Sequence, residues 1–212
     1  MDTQELFSQP PLLHRDGNDK PVSYQINLQV LLFLEKRLSP NQYTLETGGG
    51  ISTIFFALKN THHICMIPDQ LLQGRIQQFC FEKNISLNNT QWIIDRSENA
   101  LPKMSERFDI FLIDGRHAFP TPFIDWYYGS CLLKVGGWLI IDDTHLWTGK
   151  ILKKFLMHEP EWKMVRSFKT AAIFEKIKEG SENKTWVQQK YTFKKSRLRE
   201  RLDIKMKKFT HH

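Results

Sequence analysis

Three carboxylates and two imidazoles crowd two short stretches of this chain. Asp114 follows the apolar run 108–113 in FDIFLIDGRH, with His117 three residues on. Asp142 and Asp143 follow a second run in GWLIIDDTH, with His145 just beyond. Carboxylates at one edge make a hard-oxygen set suited to Mg²⁺. Any one of them could instead cap a following helix, and Asp-Gly is also a common turn. A third stretch, LETGGGISTIFFA (45–57), places Glu46 just ahead of Gly48, Gly49, Gly50 and Ser52. Glycines allow positive φ and close approach of a ligand to backbone. A helix start beyond them offers N–H groups and a positive dipole end. A nicotinamide-type turn would read G-x-G-x-x-G, but Thr53 stands where the third glycine belongs, and a P-loop fails for want of its lysine.

These residues need elements to hold them. Short apolar runs at 42–46, 63–67, 91–95, 108–114 and 137–142 alternate with helix-like stretches at 24–38, 52–60, 69–83, 97–104, 121–134 and 147–157. That alternation predicts βαβ units and a parallel sheet covered on both faces. EWKMVRSF and KTAAIFEK (161–176) are two strand-like runs with almost nothing between them, so the sheet should finish in an antiparallel hairpin. The expected class is α/β, Rossmann-like and doubly wound, mostly parallel with a C-terminal antiparallel hairpin strand. In such sheets ligands bind beyond the carboxyl ends of the strands, where strand order reverses. Four of the five segments that follow the parallel strands carry a carboxylate at or near the strand end: Glu46, Asp95, Asp114 and the Asp142–Asp143 pair.

E-T-G-G-G-I-S-T after the first strand, and FDIFLIDGRHAFPTPFIDWYYGSCLLKVGGWLIIDDTHLW further on, resemble the class I S-adenosylmethionine-dependent methyltransferases, most of all the small-molecule O-methyltransferase branch with its I-D-G, G-G and D-D pattern. Together these motifs span about residues 24–176. The resemblance implies a methyl transfer that uses S-adenosylmethionine, and it implies roles. The turn of Gly48, Gly49, Gly50 and Ser52 would hold the amino-acid end of the cofactor, with Glu46 supporting the turn or meeting the ammonium. The acidic residue that ends the second strand in this family takes the ribose hydroxyls. Here that place holds Ile67, so Asp69 would have to substitute. Asp95 and Ser97 would lie beside the adenine. In the metal-dependent branch, Asp114, Asp142 and Asp143 would hold a divalent cation such as Mg²⁺, with His117 as the base and His145 in reserve. Phe119 either walls the acceptor pocket or packs in the core, and Trp126 reads as core. His62, His63 and His158 read as surface residues.

The 212 residues suffice for one globular domain with a sizeable core. The boundaries read as a loose N-terminal arm (1–22), a cofactor-binding domain (23–178) and a basic, helical C-terminal tail (179–212). The start has no secretory signal, and Cys65, Cys80 and Cys131 lie far apart in sequence, so reduced thiols and a cytoplasmic setting are expected. The net charge of +7 is unevenly spread. Residues 184–212 carry ten Lys/Arg against two Asp/Glu, which leaves 20 basic and 21 acidic groups in the rest. A nearly neutral body argues against a nucleic-acid-binding face. In the tail, Leu198, Leu202, Met206 and Phe209 form one apolar helical stripe among basic residues. Packing on the core or a second subunit, lying on an anionic membrane, and contacting nucleic acid all fit that stripe. Two rival functions are a cofactor-binding protein without catalysis and a nucleic-acid-directed methyltransferase. The base N-methyltransferase signature, Asn-Pro-Pro-Tyr or Asp-Pro-Pro-Tyr, does not stand after the fourth strand, where the chain reads Ile-Asp-Gly-Arg.

Overall fold

A computed structural model of the chain describes residues 1–22, 24–180 and 184–198. Seven strands form the main sheet: β1 (Tyr43–Thr47), β2 (His62–Met66), β3 (Thr90–Ile93), β4 (Phe108–Ile113), β5 (Leu133–Ile141), β6 (Trp162–Ser167) and β7 (Ala172–Lys176). Their spatial order is β3-β2-β1-β4-β5-β7-β6. The first five pair in parallel, and β7 runs antiparallel between β5 and β6. The order reverses between β1 and β4, which sets the crevice beyond Thr47 and Ile113.

Helices cover both faces: α1 (Thr3–Ser8), α2 (Leu28–Glu35), α3 (Ile51–Leu58), α4 (Gln70–Glu82), α5 (Ser97–Ala100), α6 (Thr121–Leu132) and α7 (Trp147–Leu156). Successive strand side chains point to opposite faces. Ile110 and Leu112 of β4 therefore join Val30, Leu34, Ile54 and Phe55 under α2 and α3. Phe111 and Ile113 join Leu152, Leu156 and Phe174 on the α7 side. A central strand buried on both faces must be apolar at nearly every position, which is why FDIFLI reads as an unbroken run. Helix α6 lies so close to β4 that a side chain at Gly129 would run into the Phe111 ring.

Two boundaries differ from the sequence reading. Helix α6 stops at Leu132 and β5 begins at once with Leu133. A register shift between Phe108 and Ile110 lets β5 bulge through Lys134–Gly137, where Gly136 has φ +84. The second difference is the N-terminal arm, which is folded. Asp2 caps α1 by accepting from the Glu5 N–H at 2.8 Å, Leu6 is fully buried, and Phe7 stacks on Phe55 with ring centroids 6.0 Å apart. His14–Arg15 and Pro21–Val22 then pair as a short antiparallel ribbon. The arm's anchors come as two short apolar pairs, Leu6–Phe7 and Leu12–Leu13, in a polar stretch, so periodicity carried no signal for the segment.

At the other end, Lys184 ties the chain back onto the body through Glu161 at 2.6 Å and Glu159 at 3.2 Å, both carboxylates being almost fully buried. Residues 190–198 are helical. Leu198 of the tail stripe is exposed, while Leu202, Met206 and Phe209 lie outside the described residues. Among the described residues no helix is long and apolar enough to cross a membrane. Cys65 and Cys80 are buried and Cys131 is exposed.

Candidate functional site

A cavity of about 1030 Å³ opens at the carboxyl ends of β1, β2, β4 and β5. The glycine turn 48–50, Asp69, Ser97, Asp114, His117 and the Asp142–Asp143 pair all line it. The topology thus brings together most of the residues singled out in sequence, although they span nearly a hundred positions.

The glycine turn is built by crowding. Gly48 has φ +89, and a Cβ there would collide with the carbonyl oxygen of Asp114, just past β4. A Cβ on Gly49 would press on Cys65 Sγ at 2.8 Å, and one on Gly50 would meet His14 Nε2 at 3.1 Å. Bare backbone at Gly48 and Gly49 is required so that β1, β2 and β4 can converge, and only then does α3 start at Gly50 with its N-terminus toward the cavity. Glu46 stands beneath this turn, fully buried, and does not line the cavity. Of its two expected roles, the geometry leaves support of the turn: Thr53 donates to Glu46 Oε1, and the Gly50 N–H donates to Thr53 at 3.0 Å.

Asp69 caps α4, accepting from the Leu71 and Leu72 N–H groups at 2.8 and 3.0 Å through one oxygen. Its other oxygen meets Arg75 at 3.4 Å and stays half exposed at the cavity. Asp95 and Ser97 separate. Asp95 turns outward to the Arg96 N–H at 2.7 Å and Asn99 at 3.0 Å, and does not line the cavity, whereas Ser97 does. A carboxylate two positions ahead of the helix start at Ser97 is thus held by local partners, the Arg96 N–H and the Asn99 side chain, outside the cavity.

At the acidic edge the three aspartates divide. Asp142 is almost fully buried, and burial, with Asp143 nearby, pushes its pKa up to about 6. Burial and the facing Asp142, Glu46 and Asp143 carboxylates hold Asp114 well above the ordinary carboxylate range. The contact between the two carboxyls raises Asp114 further and tempers the rise at Asp142. Asp143 has φ +51 and meets His117 Nε2 at 3.0 Å and His145 Nδ1 at 3.4 Å, and the same His117 nitrogen lies 4.0 Å from Asp114 Oδ1. The ligand atoms of Asp114, Asp142 and Asp143, the expected Mg²⁺ set, do not all lie within 4.8 Å of one another. Among the described residues, the three groups whose ligand atoms all lie within 4.8 Å are Glu46, His63 and Cys65.

His117 is three-tenths exposed, and Thr148 donates to its carbonyl oxygen at 2.6 Å. Burial lowers its pKa, Asp143 opposes that, and His145 adds to the lowering. A neutral imidazole backed by a carboxylate is a proton acceptor with an orienting partner. Phe119, two residues past His117, is 68% exposed, with Trp147 at 6.4 Å between ring centroids, and neither ring lines the cavity. The rings form an open apolar ledge. Trp126 packs against the core, and His158 is half-buried and hydrogen-bonded to the Lys154 carbonyl.

Sequence reasoning missed His14 and Tyr24, which reach the cavity from the N-terminal segment. It placed His63 on the surface, yet only 1% of that residue is exposed. The alternation of β2 was the available signal, because His63 shares a face with Cys65. It also passed over Asp125 of α6, fully buried, which accepts from Thr47 Oγ1 at 2.9 Å and from Ser97. Its other oxygen has no hydrogen-bond partner among the described residues, and burial pushes its pKa to about 6. A folded-state pKa above the ordinary value makes the native state bind more protons. That contribution to stability is complete below the unfolded pKa and lost as pH rises through about 6. Asp125→Asn keeps the shape of the neutral form. Its stability relative to wild type is expected to rise by about 3 kcal/mol between about pH 4 and about pH 7, two units at about 1.4 kcal/mol each. Urea melts across that range check this, and parallel pH curves for the two proteins would contradict it.

No family model matches the sequence, and no curated protein matches it. Solved structures do. The chain is similar to an rRNA methylase of Streptococcus thermophilus (17% identity, TM-score 0.56, covering 74% of this chain and 100% of that one). It is similar to a proposed caffeoyl-CoA O-methyltransferase of Staphylococcus aureus (16%, TM-score 0.60, 75% and 87%). It is also similar to a methyltransferase of Podospora anserina with SAH bound (16%, TM-score 0.57, 77% and 83%). With its reversed strand order and antiparallel last strands, the chain has the Rossmann-like methyltransferase fold.

Proposed function

We propose that the chain is an S-adenosylmethionine-dependent O-methyltransferase that methylates the hydroxyl group of a small molecule. The observation that carries this reading is the His117–Asp143 pair, 3.0 Å apart, lining the same cavity as the glycine turn. The cavity suits the cofactor on the chemistry of its lining. It combines the N-terminus of α3, the free edge of Asp69, Ser97, and the acidic floor of Asp114 and Asp142, which suits a cationic ligand. S-adenosylmethionine, when bound, supplies an activated methyl group. His117 would take the proton of the acceptor hydroxyl, and Asp143 would hold the ring in place and stabilise its charged form. Phe119 and Trp147 would keep water from one side of the acceptor. Because the ligand atoms of the three aspartates do not all lie within 4.8 Å of one another, no step is assigned to a metal. The nearly neutral body and the open apolar ledge favour a small acceptor over RNA.

Calorimetric titration is expected to show binding of S-adenosylmethionine and S-adenosylhomocysteine and none of NAD. Transfer of labelled methyl to a panel of small hydroxyl compounds, run beside total RNA and repeated in excess chelator, tests the rest. Label in small molecules with chelator present is the expected result. Label in RNA alone would replace the acceptor class, and activity lost to chelator but restored by Mg²⁺ would bring the aspartates back as ligands. NAD binding without a response to S-adenosylmethionine would end the proposal.

A further inference from the structure

The polar groups buried beneath the glycine turn can be followed hydrogen by hydrogen. Thr61 gives its one hydroxyl hydrogen to the Phe56 carbonyl oxygen at 3.1 Å. In the Thr44–Thr61 contact, 3.1 Å long, the hydrogen must then come from Thr44. With that hydrogen committed, Thr44 accepts from His63 Nδ1 at 2.8 Å, so Nδ1 carries a hydrogen. The other ring nitrogen, Nε2, lies 3.1 Å from Glu46 Oε1. A bare Nε2 there would set a lone pair against a carboxylate oxygen, and neither side chain has any solvent exposure to relieve it. From the opposite direction the Gly50 N–H donates to Thr53, and Thr53 donates to the same Glu46 oxygen. Every donor in the chain thus points toward Glu46 or away from His63, so one hydrogen must lie between Nε2 and Oε1, and an imidazole's ordinary proton affinity, about two pKa units above a carboxylate's, assigns it to the ring. Phe56 stacks on it at 4.7 Å, a face that suits a cation.

We propose that His63 is a positioning residue for the glycine turn, an imidazolium enclosed in the fold that fixes the Glu46 carboxylate from which Thr53 and the Gly50 N–H are hung. The proposal rests on the reading that this turn holds S-adenosylmethionine. His63 touches no ligand; it acts through Glu46 and Thr53. Without its charge, Glu46 would be a buried, poorly paired carboxylate, and the turn would lose the anchor that sets the direction of its N–H groups. One other species could lie between Nε2 and Oε1: a divalent metal ion also held by Cys65. The hydrogen-bond length between Nε2 and Oε1 and the Cys65 contact to the Gly48 carbonyl at 3.4 Å favour the proton.

Nitrogen NMR of the full chain labelled at its histidines decides the protonation. One ring, assigned by its disappearance in His63→Gln, is expected to carry hydrogens on both nitrogens at neutral pH. A single protonated nitrogen overturns the proposal. So does stoichiometric metal in the purified protein that Cys65→Ser removes. The positioning role is read in binding and turnover. His63→Gln and the milder Thr44→Val are each expected to raise the Kd for S-adenosylhomocysteine, by about tenfold for the first, the equivalent of one hydrogen bond to a charged group. Turnover at saturating cofactor should stay within about twofold, since the anchor acts on binding and not on the proton transfer. Should His63→Gln fail to fold, Thr44→Val and the wild-type spectrum still decide. An unchanged Kd in Thr44→Val, or a drop in turnover without a change in Kd, overturns the role. Wild-type protein that ignores S-adenosylhomocysteine rejects the function proposed above, while the ring spectrum still reports the protonation.

Discussion

His117→Ala is expected to lower kcat by roughly 10²- to 10⁴-fold while leaving the Kd for S-adenosylhomocysteine within about threefold of wild type. The ring lines the cavity 3.0 Å from Asp143 and makes no contact with the glycine turn's own residues, so its loss should remove a proton acceptor without unseating the cofactor. Asp143→Asn should fall between the two, since it keeps a partner for the ring but removes the charge that stabilises its protonated form. Because burial lowers the pKa of His117, wild-type turnover should already be high at neutral pH and decline only in the acidic range, where the ring is protonated. A His117→Ala enzyme with full turnover would take this residue out of the mechanism and pass its role to His145, 3.4 Å from the same carboxylate.

Gly48→Ala is expected to damage the fold itself. At φ +89 an L side chain is strained, and the added carbon would collide with the Asp114 carbonyl oxygen, which is backbone and cannot swing aside. Strain and clash together should cost at least about 3 kcal/mol, or about 10 °C in Tm for a chain of this size. Gly50→Ala is the control. Its φ of 165 is ordinary extended backbone, and its new carbon would meet only His14 Nε2, the end of a side chain, at 3.1 Å. That variant should melt close to wild type. Thermal melts of the two read the difference. Equal melting temperatures would mean that the glycines are there for the ligand alone, as a reading of the turn from sequence would have it.

Much of the site was legible in the sequence because topology does the gathering. Once the alternation of apolar runs and helical stretches is read as a parallel sheet, the residues after each strand must meet at one edge. Gly48, Ser52, Asp69, Ser97, Asp114, His117 and Asp142 do meet there. Strand ends are set by period and by turn chemistry, both local, and local patterns survive in a single sequence. The same locality explains the antiparallel last pair, since two strand-like runs separated by a few residues have only one way to pair.

Tertiary structure decided what each group does once it arrives. Nothing in Glu46-x-Gly48 says that the carboxylate turns under the turn and not into the cavity; His63, seventeen residues away on β2, settles that by meeting it at 3.1 Å. Asp142 and Asp143 are neighbours in sequence, yet Asp142 is buried beside Asp114 while Asp143, at φ +51, meets His117 and His145. The arm read as loose because it has two short apolar pairs and no period, although Leu6 is wholly buried and His14 and Tyr24 reach the cavity. The sequence by itself determined the strand order's raw material, the edge at which chemistry is possible and the residue types present. The direction of each carboxylate, the raised pKa values of Asp114 and Asp142, and the burial of His63 depend on distances between residues far apart in the chain, and those exist only after the sheet has closed.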